Sequence, residues 1–102
     1  MLIGNKPNVV FKTVKILVPG TELQGPDVAI PDDFYVAVRV RSTLAAAPKG
    51  YVAASAADTA DATKRAEFLK GEGTLLKITN MNLLWFDSDT ADTVFELIAE
   101  QR

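Results

Sequence analysis

At 102 residues, 48% of them hydrophobic, with a net charge of −2, the chain suffices for one modest core and not for two. It contains no cysteine and no histidine, which excludes disulfides, thiolate nucleophiles, zinc ribbons and Ser-His or Cys-His catalysis. Its lysines and arginines are spread along the chain with no basic run, without the clustered cations that backbone binding to nucleic acid needs.

No apolar run approaches the ~20 residues of a membrane span. Met1, Leu2 and Ile3 are too few for the core of a signal peptide. A soluble protein is expected, one that folds in a reducing compartment and uses neither a membrane nor nucleic acid as its partner. The high apolar content is compatible with a subunit interface, or with a count raised by the many alanines.

Residues 1–8 read as an N-terminal arm, an apolar tip followed by the turn chemistry of Gly4, Asn5, Pro7 and Asn8. Residues 9–102 read as a single domain. Its first strand covers 9–18, with Val10, Val14, Ile16 and Val18 on one face and Phe11, Thr13, Lys15 and Leu17 on the other. Pro19 and Gly20 end it, and residues 21–31 form a loop.

Residues 34–41 carry the clearest alternation. Phe34, Val36, Val38 and Val40 share one face; Tyr35, Ala37, Arg39 and Arg41 share the other, the pattern of a half-buried antiparallel strand. A loop over 42–50 leads to a short strand over 51–55. The Ala/Asp/Thr-rich residues 56–66 have no apolar stripe and read as an exposed excursion with at most a helical turn or two.

Gly71, Glu72 and Gly73 predict a tight hairpin between strands. A strand over 74–79 follows, then a bend at Asn80–Asn82, where asparagine tolerates left-handed backbone. Residues 83–86 predict a strand apolar on both faces, and residues 94–99 the last strand. About seven strands, with turn signals at the ~8–12-residue spacing of sandwiches and barrels, predict an all-β fold. The expected form is a small antiparallel β-sandwich, jelly-roll-like or Ig-like.

Three constellations invite a functional reading. The acids lie mostly in turns, where aspartates are solvated and structural, so paired-carboxylate catalysis is not expected. Asp87, Asp89 and Asp92 offer hard oxygens to calcium but lack the glycine and terminal glutamate of an EF-hand loop. Trp85, Tyr35 and Tyr51 suggest a sugar-stacking platform, against the simpler reading of Trp85 as a core or interface residue. No catalytic residue, metal site or cofactor is expected.

One longer pattern runs from Ile30 to Glu100. Its strongest pieces are Leu69-Lys70-Gly71-Glu72, then Ile78-Thr79-Asn80-Met81-Asn82-Leu83-Leu84-Trp85-Phe86-Asp87, then Phe95-Glu96-Leu97-Ile98-Ala99-Glu100. In this the chain resembles small β-sandwich virion proteins of tailed bacteriophages. It departs from them at Asp32 and Asp33 after the proline and at Ala53 and Ala54 after Val52. The resemblance implies a non-enzymatic virion structural protein, assembled in the host cytoplasm, above all a capsid decoration or cement protein bound to the major capsid protein. A homo-oligomer such as a trimer is expected, with Met1, Leu2, Ile3, Tyr35, Arg39, Arg41 and Trp85 as assembly contacts. The alternatives are a head–tail connector, tail or fibre-base component, and a carbohydrate- or host-surface-binding module.

Overall fold

Alternation of β-branched and polar residues shapes the strands, because a period of two places every second side chain on the buried face. The computed structural model describes residues 9–101. Eight strands follow one another: β1 (Val9–Ile16), β2 (Leu23–Gln24), β3 (Phe34–Val40), β4 (Lys49–Ala53), β5 (Ala66–Leu69), β6 (Gly73–Leu76), β7 (Trp85–Ser88) and β8 (Thr93–Gln101). Single 3₁₀ turns cover Ala57–Ala60 and Met81–Leu83. β3 buries Val36, Val38 and Val40, and β8 buries Phe95, Leu97 and Ala99.

The strands form two four-stranded sheets in the orders β1-β8-β3-β6 and β2-β7-β4-β5. The first strand pairs with the last, the second with the seventh, the third with the sixth and the fourth with the fifth, all antiparallel. This is one long hairpin rolled up on itself, the order of a jelly roll. Among strands adjacent in the chain, only β4 and β5 pair, which excludes the Ig-like arrangement.

Between the sheets lie Ile16, Val36, Val38, Val40, Met81, Phe86, Phe95 and Leu97, all fully buried. Phe86 of one sheet meets Phe95 of the other at 5.0 Å between ring centroids and a 52° tilt. Such a pair contributes about 0.5–1.5 kcal/mol beyond its area burial. Gly50 lies beneath this contact, where a Cβ would fall 2.8 Å from the Phe95 ring. The glycine thus lets β4 approach close enough for the two rings to meet.

The eight strands among the described residues agree with the expected small sandwich of about seven; the one the sequence does not signal is β2, only two residues long and without alternation. Two sequence expectations about the connections need correction. The Gly71–Gly73 segment is no hairpin: β5 and β6 belong to different sheets, and the turn carries the chain from one to the other. Gly73 is required there because a side chain would run into the Val38 carbonyl. The strand expected over 83–86 starts two residues later, since the Asn80 side chain accepts from the Asn82 N–H and opens a 3₁₀ turn that takes up Leu83.

Candidate functional site

Strand register assembles the outer face of the first sheet row by row. Phe11 of β1 pairs with Ile98 of β8, Ile98 with Ala37 of β3, and Ala37 with Leu75 of β6. Directly paired residues share a face, so these four form an apolar row across all four strands. Its ends are open, with Phe11 69% and Leu75 43% exposed.

Charged rows flank it. On one side Thr13, Glu96, Arg39 and Gly73 are paired in turn. Glu96 accepts from Arg39 Nε at 2.7 Å and from Arg41 Nε at 3.1 Å. The Arg39 hydrogen bond, seconded by Arg41, holds the Glu96 carboxyl below the usual glutamate range. On the other side Val9 pairs with Glu100 and Glu100 with Tyr35, whose ring lies 5.3 Å from Lys77 Nζ. Three of the sequence candidates, Tyr35, Arg39 and Arg41, therefore lie on this one face.

The crossover from β1 to β2 is clamped at both ends. The Asp92 N–H donates to the Ile16 carbonyl at 2.7 Å, and the Gly20 N–H donates to Asp87 Oδ1 at 3.0 Å. A turn bond from Thr21 N–H to the Val18 carbonyl closes the tip. Between the clamps Leu17 and Val18 are 64% and 59% exposed. The sequence reading placed Asp87 among solvated turn aspartates. It is instead buried in β7, its carboxylate occupied by the Gly20 and Ser88 N–H groups.

The second sheet carries Tyr51 and Trp85 on its outer side. Trp85 is half-buried, paired with Gln24 and Ala53. The Arg65 guanidinium covers the Tyr51 ring at 3.6 Å, while binding Glu67 and the Thr59 carbonyl. Tyr35 belongs to the opposite sheet, so the three aromatics form no common platform. The arm residues Met1, Leu2 and Ile3 lie outside the described residues.

The acids of the 87–92 segment turn to separate partners. Asp89 accepts from the Lys49 N–H at 2.9 Å and the Thr90 hydroxyl at 2.8 Å, which keep its carboxyl below the usual aspartate range. Asp92, with φ 65°, lies 3.8 Å from Lys15 Nζ. Among the described residues no group of three His, Cys, Asp or Glu side chains is placed to hold a metal ion. No helix among them is long and apolar enough to cross a membrane.

Comparison of the chain with protein-family models, curated proteins and solved structures finds no match. The sequence reading named neither the apolar row nor the Leu17–Val18 tip as a contact. Phe11 and Leu75 were legible as outward residues of their strands, but their alignment with Ile98 and Ala37 depends on pairing between strands distant in sequence.

Proposed function

We propose that the chain is a non-enzymatic bacteriophage virion structural protein, a capsid decoration or cement protein that stabilises the head by binding shell subunits. The observation that carries this reading is the clamped tip: two bulky apolar side chains displayed on a turn held at both ends by hydrogen bonds. Exposed apolar groups on a rigid support lose little entropy on docking, which is what an adhesive contact needs. Leu23 on the edge strand β2 is a further exposed apolar side chain. The jelly-roll order adds general support, since this architecture recurs in viral capsid domains. It recurs in lectins too, so the fold by itself assigns no role.

In this reading each copy contributes little and the particle gains through repetition, as many identical weak contacts act together on one shell. The covered Tyr51 ring and the separation of Tyr35 from Trp85 disfavour the carbohydrate-binding alternative. A connector or tail component would use the same tip in few copies per particle.

Quantitative mass spectrometry of purified virions distinguishes these readings. A decoration protein is expected at one copy per major capsid subunit or a simple fraction of it. A few copies per particle would move it to the connector or tail, and absence from particles would refute the virion reading. Changing both Leu17→Ser and Val18→Ser should release the protein from particles while leaving its thermal midpoint nearly unchanged, because neither side chain is in the core.

A further inference from the structure

The outer face of the β1-β8-β3-β6 sheet is self-complementary, and we infer that two copies of this chain dimerise through it about a two-fold axis parallel to the strands. The face divides into unlike halves. The β1/β8 half presents the large apolar residues Phe11 and Ile98, with the acids Glu96 and Glu100 on β8. The β3/β6 half presents Ala37 and Leu75, with Arg39 and Arg41 on or beside β3 and Lys77 just beyond β6.

An axis running between β8 and β3 along the strands keeps each row in place and exchanges the halves. It sets the bulky Ile98 of one copy over the small Ala37 of the other, and Phe11 over Leu75. It sets Glu96 over Arg39, joining the Glu96–Arg39–Arg41 clusters of both copies into one network of alternating charge. Residue i meeting j while j meets i is the signature of an isologous contact.

The competing axis, along the apolar row, is excluded by charge. It would place Glu96 of one copy over Glu100 of the other, and like charges brought together across an interface oppose association. Ile98 would also meet Ile98 and leave Ala37 facing Ala37 across a gap.

The size of the face sets the strength. Four strands ~4.8 Å apart and about seven residues long, rising ~3.3 Å each, present on the order of 450 Å² per copy. Two such faces give on the order of 900 Å² in total, the low end for a specific interface, which means a dimer in rapid, concentration-dependent exchange. The expectation concerns the purified chain in solution and stands or falls independently of the virion reading.

The absence of natural cysteines gives a direct test. Two single variants, Phe11→Cys and Leu75→Cys, are treated separately and as an equimolar mixture with a thiol-reactive bis-maleimide spanning ~8 Å, because sheets facing each other at ~10 Å hold opposed residues too far apart for a direct disulfide. Thioether-cross-linked dimer is expected in the mixture at ~10-fold or more the yield of either variant alone, since the two-fold axis joins unlike positions. Self-linking by Phe11→Cys alone would establish the other axis and overturn the inference. Equal low yields in all three samples would overturn it as well. Because both substitutions fall on exposed side chains, misfolding is not expected, and circular dichroism of each variant checks this. In a parallel sedimentation experiment, Ala37→Glu should weaken self-association ~10-fold or more by setting a carboxylate against Ile98 of the second copy. An unchanged, strictly monomeric sedimentation coefficient for the unsubstituted chain at the highest soluble concentration would refute the dimer.

Discussion

Two carboxylates show how differently one residue type is used here. Asp87 is 6% exposed and accepts from two main-chain N–H groups, one of them 67 residues away at Gly20. Removing the acceptor strands those donors, at a cost of about 1–3 kcal/mol. Asp87→Ala is therefore expected to lower the free energy of denaturant unfolding by about that amount, and an unchanged midpoint would show the clamp to be unimportant. Glu96 is more open and is held ionised by Arg39 first and Arg41 second. Its folded-state pKa is depressed, so the unfolded chain binds the proton more readily in the acid range. The stability that Glu96 contributes is thus complete above the ordinary glutamate pKa and is lost as pH falls through the lower, folded value. Stability measured from pH 7 downward should fall less steeply in the acid range for Glu96→Gln than for the unsubstituted chain; parallel curves would contradict the assignment.

The connections do as much as the strands at the scale of elements. The 54–65 excursion between β4 and β5 has little apolar surface, and it is fastened by the buried Thr59 and by three contacts of one further side chain. Arg65 donates Nη1 to the Thr59 carbonyl at 2.9 Å, binds Glu67 at its far end and stacks on Tyr51 of β4. Arg65→Ala should leave the sandwich folded and make residues 56–65 more open to proteolysis, because local opening there breaks fewer favourable contacts. Limited digestion followed by mass analysis would read this as a new cleavage within the excursion; a digestion pattern identical to the parent would contradict it.

Rolled-up topology governs the whole molecule. Pairing the first strand with the last closes nearly the full chain length before the core is sealed, so most stabilising contacts join residues distant in sequence. Refolding is expected on the ~ms–s timescale of sandwiches and small barrels, and a microsecond relaxation by stopped-flow or temperature-jump fluorescence of Trp85 would contradict it. The same topology makes β8, flanked by β1 and β3, the central strand of the face proposed for dimerisation. It also leaves β1 and β2 as open edges beside the tip proposed for shell contact. Lys12 and Lys15 on β1 are the kind of charge that discourages indiscriminate edge pairing.

The all-β class, the one-core size, and the inward and outward residues of β3 were settled by the sequence itself. A period of two is a local property, and Val36, Val38 and Val40 alternate with Ala37 and Arg39 whatever partners the strand finds. The grouping of Tyr35 with Arg39 and Arg41 followed for the same reason. Non-local pairing decided everything else. Which strand lies beside which, and therefore the jelly-roll order, the sheet-to-sheet turn at Gly71–Gly73 and the row Phe11–Ile98–Ala37–Leu75, depends on register between segments with no sequence proximity. Burial of Asp87 likewise required Gly20 to be brought across the fold. Local chemistry writes the faces of a strand, and only the packed chain determines which faces meet.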